Sequence, residues 1–129
     1  MYTYPLTVLA TILIVVFTFG LSFNVGKRRG QILAPATTGD IEFEKAFRIH
    51  YNTIEHMVLF LPLMWLSVQY WGDNLTAGAA AVWLVGRALY ARAYQKDPTK
   101  RTAGLLISLV ALLAVLVGSV IPLVKIALG

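Results

Sequence analysis

From Ala103 to Leu128 the chain runs for twenty-six residues with a single charged side chain, Lys125. Wound as a helix at 1.5 Å per residue, such a run spans about 39 Å, more than the ~30 Å hydrocarbon core of a bilayer. A second run, Leu6 to Gly26, is about as long as a crossing requires and carries no charge at all. Composition agrees: 58% of the residues are hydrophobic, 13% are charged, and the mean hydropathy is +0.72, outside the range of soluble domains. These features predict an integral membrane protein. The first run is not read as a secretory signal peptide, because it lacks a basic leader, is too long, and has its positive charges after it rather than before. It is read as a retained first span.

The remaining elements follow from punctuation. Span one covers about 5–26, opening at Pro5, where a missing N–H costs little, and ending at Lys27-Arg28-Arg29-Gly30. Residues 31–40 hold Pro35, Thr37, Thr38 and Gly39 without periodicity and predict a loop. Asp40 is placed to cap a second helix, with Glu42 and Glu44 in its first turn, where they complement the helix dipole. That helix starts in water, counts as a span over about 43–71, and is expected to kink near Val58, one turn before Pro62. Trp65, Tyr70 and Trp71 suit an interface belt at its far end. Gly72-Asp73-Asn74 predicts a tight turn. Span three, about 75–95, opens with the small residues Thr76 to Ala81, which let helices approach closely. A short basic loop at 96–101 leads to span four, about 103–128, with Pro122 near its end. The expectation is one domain over 1–129: an all-α membrane protein built as a four-transmembrane-helix bundle.

Charge placement sets the topology. Ten of the eleven Lys and Arg residues lie between Lys27 and Arg101, in or beside the two loops that four spans put on one side of the membrane. Their basic character assigns those loops to the cytoplasm and both termini to the opposite side. The net charge of +5 is therefore a matter of topology and anionic lipid, and no nucleic-acid partner is expected. With no cysteine in the chain, a protein thiol nucleophile, a thiolate metal site and a disulfide are all excluded. His50 and His56, six residues apart, face different ways and have no third ligand, so no metal is expected. Gly-rich phosphate loops, Ser-His-Asp sets and HExxH patterns do not occur.

Two polar stripes remain. At about 100° per residue, Arg48, Asn52, Glu55 and His56 fall within roughly a quarter of one helix circumference. Arg87, Tyr90 and Tyr94 share a face of the next span, with Arg92 elsewhere. Both stripes belong to the basic end of the bundle. A structural Arg48–Glu55 ion pair, or tyrosines anchoring at the headgroups, would be the plain readings. Taken together, the stripes suit an anionic ligand: Arg gives bidentate carboxylate recognition, Glu can take an ammonium, and Tyr can donate to a carbonyl or thiolate. A small zwitterionic peptide with free carboxylates fits. His50 lies about 160° around the helix from Asn52 and faces elsewhere, toward any neighbouring copy.

The residues Ala34-Pro35-Ala36-Thr37-Thr38-Gly39, then Phe43-Glu44-Lys45-Ala46-Phe47-Arg48 with Asn52 and Glu55, then Arg87-Ala88-Leu89-Tyr90-Ala91-Arg92-Ala93-Tyr94 and Arg101, resemble the MAPEG family of microsomal glutathione transferases and their eicosanoid-metabolising relatives. The resemblance covers almost the whole chain. It implies a homotrimer that binds glutathione between adjacent subunits at the cytoplasmic side. Arg48, Asn52, Glu55, Tyr90 and Tyr94 would hold the tripeptide, with His56 and Arg87 from the same stripes, and Lys27 and His50 would reach in from the neighbouring subunit. Arg101 would lie against the sulfur as the catalytic residue. The implied activity is glutathione transfer to an apolar electrophile arriving from the bilayer, with reduction of lipid hydroperoxides as a second reaction. The chain departs from several relatives at His56, Val58 and Lys27, where they have an aromatic residue, a proline and an arginine. Two alternatives stand beside this reading: a non-catalytic lipid-binding or scaffold member of the same superfamily, and a small multidrug transporter using Glu55.

Overall fold

The computed structural model describes residues 1–129 and is all-helical: α1 (Pro5–Arg29), α2 (Ile41–Trp71), α3 (Asp73–Lys96), a short 3-10 turn (Pro98–Lys100) and α4 (Thr102–Leu128). Each boundary has a local cause. Pro5 occupies the first turn of α1, and its last turn carries Lys27, Arg28 and Arg29, which offset the negative end of the helix dipole. The Asp40 carboxylate accepts the Phe43 N–H at 3.1 Å and so caps α2. Pro62 sits inside α2 without ending it.

Two expectations are corrected at the far end. The tight turn over 72–74 reduces to one residue, because α2 continues through Trp71 and α3 already starts at Asp73. Gly72, at φ 84°, makes the reversal in the left-handed region that glycine adopts without strain. Asp73 also has a role beyond the turn. Its carboxylate accepts the Leu6 N–H at 2.9 Å, the Thr7 N–H at 2.8 Å and the Thr7 hydroxyl at 2.8 Å, so it satisfies the open N-terminus of α1 from another helix.

α2 and α3 form the centre of the bundle, each packed against all other helices, with α1 and α4 on opposite sides of that pair. The core between them holds Ala10, Ile14, Phe60, Met64, Ala80, Trp83, Ala111 and Val115. By length and hydropathy alone, only α1 and the segment containing α4 qualify as membrane spans. α2 and α3 fall short because they carry the polar stripes. Outward, α1 and α4 expose rows of Leu, Ile and Val, including Leu9, Ile12, Leu13, Leu106, Val110 and Leu113. An apolar surface of that extent is a lipid-facing surface. Against lipid, burying another apolar side chain gains little, so close packing and interhelical hydrogen bonds must hold the helices together. Bonds of this kind are present: the Trp65 indole donates to the Thr11 hydroxyl at 3.1 Å, which turns one expected belt residue inward, and the Ser119 hydroxyl donates to the Leu63 carbonyl at 3.0 Å.

The α3–α4 crossing matters most for the site. A Cβ on Gly86 would lie 2.6 Å from the Ser108 backbone nitrogen, and one on Gly104 would lie 2.7 Å from the Gly86 carbonyl oxygen. Only glycine allows the two backbones this near. Their contact brings the start of α4, with Arg101, alongside Tyr90.

Candidate functional site

A cleft of about 300 Å³ opens at the basic end between α2, α3 and α4, lined by Asn52, Glu55, His56, Leu59, Arg87, Tyr90, Arg101 and Leu105. Its polar and apolar walls are sorted by depth. Asn52, Tyr90 and Arg101 lie toward the loop end of their helices, whereas Leu59 and Leu105 lie one turn or more deeper. A ligand with one charged end and a reactive group facing the bilayer fits such a gradient.

Within the cleft the side chains hold each other. The Asn52 amide donates to the Tyr90 hydroxyl oxygen at 2.8 Å, joining the two stripes directly. Arg87 is 1% exposed; it donates through Nη2 to the Thr53 hydroxyl at 3.0 Å, and its guanidinium lies 4.1 Å from the centre of the Tyr90 ring. Its Nε has no partner, and no carboxylate pairs with it. A buried guanidinium whose charge no acid answers makes this end of the cleft electropositive. It also serves as a platform that fixes the Tyr90 ring by a cation–π contact.

His56 accepts a hydrogen bond at Nδ1 from the Trp83 indole N–H at 2.7 Å. Indole is only a donor, so Nδ1 carries no proton and the neutral ring bears its proton on Nε2. Arg101 caps the 3-10 turn and opens α4; its Nη1 donates to the Pro98 carbonyl at 2.8 Å, which steadies the side chain while it stays exposed at the cleft rim. Glu55 is exposed and makes no ion pair. The structural Arg48–Glu55 pair considered from spacing therefore does not form.

Of the sequence-derived set, the fold brings Asn52, Glu55, His56, Arg87, Tyr90 and Arg101 into one cleft. Four lie outside it. Tyr94 lies one turn after Tyr90, its ring tilted by 35° with ring centres 5.5 Å apart. Arg48 is exposed one turn before Asn52, Lys27 is exposed at the end of α1, and His50 is partly covered on another face of α2. Beside the cleft, Glu42 ties the loop end together: it pairs with Lys45 at 3.1 Å and Arg28 at 3.6 Å and accepts from the Gln95 amide at 2.9 Å. Those contacts, the Gln95 hydrogen bond foremost, hold its carboxyl below the usual 4.5.

Four participants were not anticipated. Trp83 sits one turn before Arg87 on the same stripe, so an extended stripe of 83, 87, 90 and 94 would have included it. Leu105 lies one turn after Arg101, and Leu59 one turn after Glu55. Thr53 carried no signal, because a lone threonine in an apolar helix reads as a back-bonded side chain.

The chain is also similar in sequence to known proteins. The model of the MAPEG family matches residues 7–121. An uncharacterised protein of Synechocystis is 38% identical over 118 residues, covering 90% of this chain and 83% of its own length. Human microsomal glutathione S-transferase 2 is 31% identical over 91 residues, covering 70% of this chain. Bovine leukotriene C4 synthase is 31% identical over 94 residues, covering 73% of this chain. The matches take in 62% and 63% of those two enzymes, less than two thirds of their length.

Proposed function

We propose, on the premise that the chain belongs to the MAPEG family of integral membrane proteins, that it is a membrane-bound glutathione transferase acting on apolar electrophiles. The single observation that carries this reading is the convergence of Asn52, Glu55, His56, Arg87, Tyr90 and Arg101 on one cleft that continues into Leu59 and Leu105. Similarity to a microsomal glutathione S-transferase and a leukotriene C4 synthase supports the choice of thiol and of an apolar second substrate.

Arg48 and Arg87 answer the carboxylates of glutathione, and Glu55 takes its ammonium. Asn52, His56, Tyr90 and Tyr94 supply neutral hydrogen bonds. Lys27 and His50, which face away from the cleft of their own chain, serve the cleft of a neighbouring copy in a homotrimer. Activation of the sulfur falls to Arg101. A free thiol has a pKa of about 8.5 and is only a few per cent ionised near pH 7; a guanidinium beside it in a partly dry site favours the anion. The thiolate then attacks the electrophilic carbon, a C–S bond forms, and the displaced pair leaves on the departing group or moves onto a conjugated oxygen. With a lipid hydroperoxide the same thiolate attacks oxygen, and a second glutathione completes reduction to the alcohol, water and glutathione disulfide. The loops and the cleft face the cytoplasm, where glutathione is supplied.

The test is turnover of the purified protein with glutathione and an aryl chloride, together with calorimetric binding of glutathione alone. Saturable conjugation lost in Arg101→Ala supports the reading. Absence of glutathione binding at millimolar concentration overturns it, and binding without turnover favours a non-catalytic member of the family.

A further inference from the structure

On the face of the bundle away from the cleft, α1 and α3 part to leave a groove of about 500 Å³ at the basic end, floored by Ile49 of α2. The gap opens where α3 presents Ala88 and Ala91, side chains too short to reach α1. Phe17 and Leu21 of α1 form the deeper, membrane-level wall. At the loop end the lining changes to Arg28, Arg92 and Lys96. Arg28 is already engaged: its Nε donates to the Asn24 side-chain oxygen at 3.0 Å and it pairs with Glu42 at 3.6 Å. Arg92 and Lys96 sit one helical turn apart on α3, are exposed, and have no carboxylate partner. The Asn24 amide donates to the Gln95 side-chain oxygen at 3.4 Å, bridging α1 and α3 between the apolar and the cationic halves.

We propose that this groove is a binding site for an anionic phospholipid, the phosphate held by Arg92 and Lys96 and one acyl chain lying against Phe17, Leu21 and Ala88. One observation selects a lipid over a soluble anion: the cations stand at the rim of an apolar trough, walled by Phe17, Leu21 and Ala88, that descends into the bilayer. Charge complementarity selects an anionic lipid over a zwitterionic one, because the groove lining contains three cations and no carboxylate. The site does not depend on the glutathione reading, since none of its residues lines the cleft.

Native mass spectrometry and thermal unfolding in phosphatidylcholine micelles, with and without phosphatidylglycerol, test it. The expected result is a retained phosphatidylglycerol adduct and a rise of several degrees in Tm for the unaltered protein. Both are lost in the double variant Arg92→Gln, Lys96→Gln, and both persist in Lys27→Gln, Lys100→Gln, which removes the same charge from the loops. Inorganic phosphate at equal concentration gives no rise. Equal loss in both double variants would mean diffuse attraction to a basic surface and overturn the proposal. So would an equal rise with phosphate, or an unchanged adduct in the Arg92, Lys96 variant. Should that variant unfold on purification, a competition between phosphatidylglycerol and phosphatidylcholine on the unaltered protein decides: no preference for the anionic lipid overturns the site.

Discussion

The Asn52 amide donates to the Tyr90 hydroxyl oxygen across 2.8 Å, and this leaves the Tyr90 proton free to point elsewhere. A tyrosine whose oxygen is already an acceptor is a better donor to a third group, because bonds in a chain polarise one another. Under the proposed function, that third group is an anionic atom of glutathione. Tyr90→Phe keeps the ring that Arg87 stacks on and removes only the donor. It is expected to reduce kcat/KM about tenfold, about 1.4 kcal/mol of transition-state stabilisation. Asn52→Ala should lose a similar amount, and the double variant should lose much less than the sum, a coupling of about 1 kcal/mol. Strict additivity in this cycle would show that the bond does not act in the reaction.

Arg101 is predicted to act through charge, which makes its effect depend on pH. If the guanidinium holds the bound thiol as its anion, Arg101→Ala returns that thiol toward about 8.5. Turnover of the variant should then fall by roughly one to two orders of magnitude near pH 6.5 and recover most of its deficit near pH 9, where solvent alone ionises the sulfur. Arg101→Lys, which keeps the charge, should sit between. A pH–rate profile settles the point: an equal deficit at every pH would assign Arg101 to binding or loop structure rather than to the thiolate.

Much of this site can be read in the sequence because helical periodicity places residues on a face reliably. Asn52, Glu55 and His56 share a stripe of α2, Arg87 and Tyr90 a stripe of α3, and both stripes border the one cleft. What periodicity cannot give is the partner across a helix interface. Trp83 holding His56, and Thr53 holding Arg87, depend on how α2 and α3 cross. The same limit hid Asp73, which looks like a turn residue from its neighbours and caps α1 from a distance of more than sixty positions along the chain. The extent of α2 was legible because Asp40, Glu42 and Glu44 mark its start in water; the loss of a turn at 72–74 was not, because glycine permits both a longer and a shorter reversal.

Gly104 tests whether the α3–α4 crossing builds the site. On propensity alone, Gly104→Ala should stabilise the helix by up to about 1 kcal/mol. The added methyl would meet backbone atoms of Tyr90 and Gly86, which cannot rotate away. Overpacking of that kind costs about 1–3 kcal/mol, so it outweighs propensity and the variant should be destabilised. It should also lose activity beyond its loss of folded protein, because moving α4 off α3 carries Arg101 away from Tyr90. Gly78→Ala is the control: nothing lies within 4 Å of its Cβ, so propensity should win and Tm should hold or rise. Equal behaviour of the two variants in thermal unfolding would contradict the crossing described here.

Asp73 gives the bundle an acid-labile joint far from the cleft. Desolvation at the junction raises its pKa, but the hydrogen bonds from the Leu6 N–H, the Thr7 N–H and the Thr7 hydroxyl together outweigh that and hold it below the ordinary 3.8. A carboxyl depressed in the folded state contributes stability that is fully present above its unfolded pKa and is lost as pH falls through the folded one. The unaltered protein should therefore keep this contribution from neutral pH down to about 5 and lose it progressively below about 4. Asp73→Ala removes the acceptor and leaves the first N–H groups of α1 open, so its Tm at neutral pH should be lower than that of the unaltered protein. Asp73→Asn keeps one acceptor oxygen and should fall between the two, with its Tm insensitive to this particular titration. Thermal unfolding of all three proteins across that range checks the assignment. The gap between the unaltered protein and Asp73→Asn must close as the carboxyl takes up its proton; a gap that stays constant to acid pH would place the ionised Asp73 outside the forces that hold α1 to α3.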